Sequence, residues 1–500
     1  MHVANLIVMN PGDTVAVATR DLKKGEAAHT GDIGLTLTDE IPMGHKVALV
    51  DMAAGTDVIR YGDPIGHATR PIGKGGWVHV HNLFTNLEKE VAYTYSPVTM
   101  PAGGPPGDPP TFQGYRRRDG RVGIRNELWI IPTVFCVNGP AQQLADRINA
   151  RYPAGPGFDG AFALTHANGC SQVGQDLLYT QNALAGLVHH PNAGGVLILG
   201  LGCESNCLDC FLPLVGDLDP QRVKVLNCQD VEDELADGMA LLETLYAALS
   251  ADRRSPCKAG ELAIAVNCGG SDAFSGITAN PLVGKITDRL TGFGGTVVMT
   301  EVPEMFGAEH LLMRRAENRM VFDAIVGMMN DYKAYFRRYG EEIYKSPVPG
   351  NIAGGISTLE EKSLGCTEKG GQAVVRDVIP YGGRLRKKGF NLLSGPGNDL
   401  AGITAQEAAG CVMTIFTTGC GTPAGFATPL LRLSSNSRVG RHKARWIDYD
   451  AGALMAGKTM NDAAGELFDL ILRVAGGEMK TRSEACGYRQ IGFLRDGVTD

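Results

Sequence analysis

Residues 96–110 read SPVTMPAGGPPGDPP, and no other stretch limits this chain's folding choices as strongly. Proline removes backbone donors and glycine raises the entropic cost of order, so neither helix nor sheet persists at that density. The segment is expected to be an exposed linker, dividing the 500 residues into at least two bodies. Such a length exceeds what one hydrophobic core usually serves.

The two sides of the linker carry different periods. Before it, residues 14–17, 46–49, 58–61, 65–69 and 77–81 are short β-prone runs punctuated by Gly, Pro and Asp, with no sustained helical period. This predicts an all-β domain over residues 1–92 and a linker over 93–112. Beyond it the order becomes strand, polar glycine loop, helix, strand. Residues 127–132 precede a helical pattern at 139–151 and a run at 161–165 that leads into His-Ala-Asn-Gly-Cys. Residues 261–266 lead through NCGGSDAFSG to a helix at 281–291 and a strand at 296–300 ending in EVPE. Residues 390–393 lead through SGPGND to a helix at 400–409 and a strand at 412–416 ending in TTGCGTP. This alternation predicts Rossmann-like parallel α/β units, an α/β domain over 113–380 and a second over 381–500. Ligand-binding residues are expected on the loops beyond the strand C-termini.

Composition narrows the function. Lys and Arg number 47 against 54 Asp and Glu, for a net charge of −7, and no basic run exceeds residues 116–118, so no nucleic-acid partner is expected. No stretch approaches 18 apolar residues and no secretory signal opens the chain, which points to a cytoplasmic protein without a membrane span. The 12 cysteines are then expected as thiols. The 66 glycines concentrate in clusters that also hold Cys, Asn, Asp and Thr, as in enzymes whose backbone closes on a small ligand.

Several motifs carry chemistry, each with a plainer alternative. Gly200-Leu201-Gly202 follows a strand like a dinucleotide fingerprint, but Ser205 replaces the third glycine, which favours a tight turn. Cys203, Cys207 and Cys210 have the C-x3-C-x2-C spacing of three-thiolate iron–sulfur sites, or are simply cysteines at a helix start. His79 and His81 alternate and would share one face of a strand, with His45 as a third imidazole for a divalent cation; the alternative is a solvent-facing pair. His166, Asp272, Glu301 and Glu304 are acid/base candidates at loop tips, or caps and buried hydrogen-bond partners. Arg125 beside Asn126 could grip a carboxylate, or form an ordinary structural pair.

These segments together resemble the altronate and galactarate dehydratase family over nearly the whole chain. PMGHKVAL, IRYGDPIGHAT and GGWVHVHN are similar to that family's N-terminal SAF domain, a β-clip fold. GYRRRDGRVGIRNELWIIPTVFCVNG, GLGCE, CGGSDAFSGITANP, TEVPEMFGAEHLL, PGNIAGGISTLEEKSLGCTEKGG, SGPGND and TTGCGTP are similar to the remainder. RNELWIIPTV, VHVHN and TEVPEMFGAE look more like the altronate than the galactarate branch.

The resemblance implies a sugar-acid hydro-lyase of hexuronate catabolism that converts D-altronate to 2-dehydro-3-deoxy-D-gluconate, with Fe2+, or Mn2+ in its place, as cofactor. It implies His45, His79 and His81 as metal ligands, and His45, Lys46, His166, Asp272 and Glu301 as acid/base groups. Arg125, Asn126, Gly269, Gly270, Ser271, Asn398, Asp399 and Thr422 are implied at the substrate, with amides of Gly269, Gly270, Gly397 and Gly421 on its hydroxyls. A homodimer is expected, with a small sugar acid as the partner. Galactarate dehydration and sulfolactate sulfo-lyase activity are the alternatives within the family, and a non-catalytic SAF-type binding protein is the alternative outside it.

Overall fold

The computed structural model describes residues 5–31, 33–87, 92–98 and 107–497. Up to residue 87 the chain forms short antiparallel sheets. The largest orders its strands Leu6–Ile7, Val15–Ala18, Lys46–Ala48 and Trp77–Val78. Its cores hold small aliphatic side chains such as Val15, Ala48, Val58, Ile65 and Val78. The first strand, the paired strands Ala27–Thr30 and Ile33–Thr36, and the strand Leu83–Phe84 lie outside the sequence expectation, because they are too short for an alternation to register.

Residues 99–106 of the expected linker fall outside the described residues. Its flanks are not free. Tyr93 donates a hydrogen bond to Glu309, the Tyr95 ring packs on Phe322, and Val98 N donates to Arg314 O. At the other end Thr111–Arg116 is already a strand, so the linker's expected last residues belong to the body. That strand pairs antiparallel with Ser255–Lys258, so the chain enters and leaves a middle domain through neighbouring strands.

The middle domain is a four-stranded parallel sheet, ordered Ala161–Ala163, Glu127–Pro132, Ala193–Gly200 and Val223–Asn227. Its central strands are apolar on both faces, as a helix-covered parallel sheet requires. Leu128 and Ile130 meet the helices Asn138–Arg151 and Glu234–Leu249, while Trp129 and Ile131 meet Gly174–Val188.

The third domain is a seven-stranded parallel sheet: Val375–Ile379, Gly389–Leu393, Thr296–Met299, Ala263–Cys268, Met413–Thr418, Leu430–Ser434, Tyr449–Asp450. The expected boundary at 380/381 is therefore corrected. It would separate two adjacent, hydrogen-bonded strands of one sheet, because parallel neighbours pair across long crossovers that sequence order conceals. No helix among the described residues is long and apolar enough to cross a membrane.

Candidate active site at the tips of the seven-stranded sheet

Adjacent parallel strands end side by side, so the loops after Cys268, Met299, Leu393 and Thr418 share one edge. The helix Leu359–Thr367 and the turn Glu368–Gly370 lie against that edge. Lys369 Nζ donates to Cys268 Sγ at 2.8 Å and to Glu301 Oε2 at 3.0 Å. Lys362 pairs with Glu304 Oε1 at 2.7 Å, and the Cys366 thiol donates to Glu304 Oε2 at 3.2 Å. Cys268 and Cys366 bring their sulfurs to 3.2 Å. Among the described residues, only Cys268, Glu304 and Cys366 form a set of three such groups with ligand atoms all within 4.8 Å of one another.

Burial drives the titration of these groups apart. Desolvation, with Cys268 and Glu304 nearby and despite Lys369, raises Glu301 well above the usual carboxylate range. Glu304 is buried as deeply, yet Lys362 and Lys369 hold it below its ordinary value. The contact with Cys366 and the Lys369 ammonium outweigh burial to bring the Cys268 thiol down to about 7. Asp399 is raised to about 7, chiefly by desolvation and next by Glu304 and Cys268. Two carboxyls separated in this way divide naturally into a proton donor and an anion.

The local backbone supports this assembly. Glu301 adopts the left-handed conformation at φ 72, rare for a residue with a side chain, and its Oε1 is buried without a partner. At Gly269 a Cβ would lie 2.6 Å from Asp399 Oδ2, so only glycine admits the carboxylate there. Both polar atoms of the Asn267 side chain and the Ser271 hydroxyl are also buried and unpaired. Such orphaned groups in one place mark a site built to meet something polar.

The β domain closes over the far side of the same helix. Lys46 Nζ donates to Gly355 O, Ser357 Oγ and Glu361 Oε2, each at 2.8 Å, and Arg60 joins Glu361 and Ala273 O. Lys46 falls to about 8 because burial outweighs Glu361, while Lys46 and Arg60 overcome burial to keep Glu361 below its ordinary value. One buried carboxylate thus faces two buried cations across the domain boundary. Between this latch and the Lys362–Cys366 side lies a cavity of about 10 Å³, room for roughly one water.

The expected histidine triad is not assembled. Strand Trp77–Val78 ends before His79, and residues 79–82 form a turn, so alternation along a strand does not apply. His79 is buried with Nδ1 2.8 Å from Ser357 Oγ, whereas His81 is exposed. Both His45 nitrogens are engaged: Nδ1 accepts from Trp77 Nε1 at 3.2 Å, and Nε2 lies 3.4 Å from Ala353 O. Burial first, then Lys46 and His45, lowers His79 to about 3 and keeps it neutral.

Other expected residues are occupied structurally. Arg125 forks onto Glu484 at 2.7 and 3.0 Å, and Asn126 donates to Gly157 O and Leu249 O, so neither is free for a substrate carboxylate. His166 is buried in the middle domain between Pro132 O and Asn168 N, with burial taking it to about 4. Asp272 accepts from Ser275, Ser435 and Asn436 and ties the strand tips together. Asn398 caps its helix through Ala401 N, and Thr422 accepts from Ala424 N. Two of the expected glycine amides are also taken, Gly269 N by Thr417 O and Gly421 N by Thr418 Oγ1. Gly269, Gly270, Ser271, Glu301 and Asp399 do sit at the shared edge. Lys362, Cys366 and Lys369 were missed, although TLEEKSLGCTEKGG puts Lys362 and Cys366 at i and i+4 on one helix.

A cavity of about 620 Å³ lies elsewhere, at the starts of the strands Ala193–Gly200 and Val223–Asn227, lined by Arg117, Arg121, Arg222 and Asp252. Parallel sheets place their chemistry at the opposite strand ends, and the oppositely shifted carboxyls are there.

A β domain latched over buried, charge-separated acid/base groups at a parallel-sheet edge defines an enzyme rather than a binding module. The chain belongs to the D-galactarate/altronate dehydratase family. Family models match residues 4–86 (Altronate/galactarate dehydratase SAF domain), 114–250 (D-galactarate dehydratase/Altronate hydrolase, second domain) and 259–499 (D-galactarate/Altronate dehydratase, C-terminal). Altronate dehydratase of Escherichia coli is 46% identical over 97% of this chain and 98% of its own length. Its Bacillus subtilis namesake is 44% identical over 99% of both. Galactarate dehydratase (L-threo-forming) of E. coli is 34% identical over 96% of this chain and 94% of its own.

Proposed function

We propose that this chain is a sugar-acid hydro-lyase that removes water from D-altronate to give 2-dehydro-3-deoxy-D-gluconate, a step of hexuronate catabolism. The geometric support is the pair Glu301 and Glu304, buried together and shifted in opposite directions. The choice of altronate rests on the greater identity to the two altronate dehydratases than to the galactarate enzyme.

Elimination needs a base for the C2 proton and an acid for the departing C3 hydroxyl. Asp399, near 7 and without a hydrogen-bond partner at its carboxylate in the described structure, is suited to take the C2 proton. Glu301, held protonated by burial, is suited to give its proton to the hydroxyl, which leaves as water. The Lys369 and Lys362 ammoniums supply fixed positive charge for the carboxylate and the oxygen that becomes negative. The enol then takes up a proton at C3 to become the 2-keto acid.

For the metal, the donors that fit best are Cys268, Glu304 and Cys366: among the described residues only they bring three ligand atoms within 4.8 Å of one another, whereas His45 and His79 meet without His81. A ferrous or manganous ion held there would act as a Lewis acid toward the charge developing beside C2. A cytoplasmic homodimer completes the reading. The test is a panel of D-altronate, galactarate and (2R)-sulfolactate, run before and after chelation and with ferrous ion restored. Metal-dependent turnover fastest on altronate is expected; faster galactarate turnover, release of sulfite, or full rate after chelation would overturn it.

A further inference from the structure

The middle domain carries a second loop cluster that the proposed reaction does not use. Its strands Ala161–Ala163, Glu127–Pro132 and Ala193–Gly200 are consecutive neighbours, so their C-terminal loops lie side by side. Each loop presents one exposed free thiol: Cys170, Cys136 and Cys203 respectively.

Backbone bonds next to each cysteine join these loops. Phe135 N donates to Asn168 O at 3.0 Å, and Asn206 N donates to Gly169 O at 3.1 Å. Asn206 Nδ2 reaches Thr133 O at 2.9 Å. Glu204 accepts from Thr133 Oγ1 at 2.6 Å, from Leu201 N at 3.0 Å and from Gly202 N at 2.6 Å. The GLGCE turn is thus braced by its own carboxylate, which leaves no phosphate cradle. At Gly169 a Cβ would lie 2.2 Å from Thr133 O, and Ser171 holds a left-handed φ of 52, both beside Cys170. The fully buried Asn206 keeps Oδ1 unpaired and the buried Gln172 keeps Nε2 unpaired, so the same loops hold polar atoms without a protein partner.

Neighbours of the three cysteines are thus in direct hydrogen-bond contact, which gathers Cys136, Cys170 and Cys203 at one corner of the sheet edge. The three do not qualify as ligands of one ion, since among the described residues only Cys268, Glu304 and Cys366 bring three such donors within 4.8 Å of one another. A [4Fe–4S] cluster is different, because each thiolate binds its own iron and the sulfurs stand further apart.

We propose that Cys136, Cys170 and Cys203, braced on three adjacent strand tips, hold a [4Fe–4S] cluster whose fourth iron has no protein ligand. That iron is open to an oxygen donor, water or the carboxylate or hydroxyl of a small hydroxy acid. The three thiols bind as thiolates and release their protons to solvent. The ligand set differs from the run Cys203, Cys207, Cys210 suggested by spacing. Cys207 and Cys210 pair with each other, sulfur to sulfur at 2.9 Å, while Cys203 receives a contact from Gln229 Nε2 at 3.6 Å.

The inference goes beyond the reaction proposed above and does not depend on its substrate. The full chain is purified anaerobically from iron-replete cells and assayed for acid-labile sulfide, iron and visible absorption, with circular dichroism to confirm folding. Sulfide near four per chain is expected from a [4Fe–4S] centre. Cys136→Ser, Cys170→Ser and Cys203→Ser should each lose it to background, while the double variant Cys207→Ser/Cys210→Ser and the single variant Cys268→Ser keep it. Wild-type protein without sulfide, a folded Cys136→Ser protein that keeps its full complement, or loss in the Cys207/Cys210 double variant would each overturn the proposal.

Discussion

The seven-stranded and four-stranded sheets are both parallel, and both end in loops of glycine, cysteine and polar residues, yet their edges are chemically opposite. At the first, Cys268, Glu301 and Glu304 are buried beneath the helix that the β domain grips, with the Lys362 and Lys369 ammoniums among them. At the second, Cys136, Cys170 and Cys203 are exposed, with Glu204 as the charge acting on Cys136. Position at a strand tip says where ligands are met in such folds. What covers the tip decides the chemistry, because low dielectric and fixed counter-charge separate proton affinities while exposure leaves thiols to act as ligands.

The sharpest attack on this comparison is Glu301→Gln, which keeps the shape of the buried edge and removes its titrating proton. A fall in kcat of about 10²–10⁴-fold with an unchanged melting temperature is expected; a fall below tenfold would remove Glu301 from the acid role. Next is the cover itself. Glu361→Gln leaves Lys46 and Arg60 facing each other without their anion, a loss of about 3–5 kcal/mol expected in urea unfolding. Undiminished stability would show that the latch does not hold the domains.

A smaller effect sharpens the base assignment. Asp399, raised to about 7, must lose its proton to act, so kcat/KM should fall about tenfold per pH unit below 7 and level off above. The sign for stability is opposite. A carboxyl with a raised folded pKa binds more protons folded than unfolded, so it favours the fold at low pH, and that contribution is lost as pH rises toward 7. Asp399→Asn should abolish both dependences; a pH profile that survives it belongs to another group. The smallest effects compare two histidines. His79→Ala removes a buried contact with Ser357 and should cost about 1–3 kcal/mol. His81→Ala, at an exposed turn, should stay within about 0.5 kcal/mol and leave bound metal unchanged. Equal loss of metal in both would restore the shared-strand histidine site.

Much of the local structure is legible in the sequence itself. The apolar run at 127–132 coincides with the strand Glu127–Pro132, and the patterns at 139–151 and 400–409 fall within one residue of the helices Asn138–Arg151 and Asp399–Ala409. These are local matters of periodicity and capping, and the chain carries them residue by residue. The glycine-rich loops were likewise placed correctly at strand C-termini, including Gly269 through Ser271, Glu301 and Asp399.

Partnership was not legible. Arg125 looks like a carboxylate fork until Glu484 arrives from 359 residues away, and His79 looks like a ligand until Ser357 arrives from 278 residues away. Lys369, an ordinary lysine in a glycine-rich turn, becomes the hydrogen-bond donor to Cys268 and Glu301 only when a helix from elsewhere lies across two strand tips. Sequence alone determined the two classes of domain, the parallel α/β repeats and the family, because these rest on local periodicity and on long continuous motifs. Tertiary structure alone decided which polar residues meet, which are used up in packing and which titrate abnormally, because those properties depend on through-space charge and burial that sequence separation does not encode.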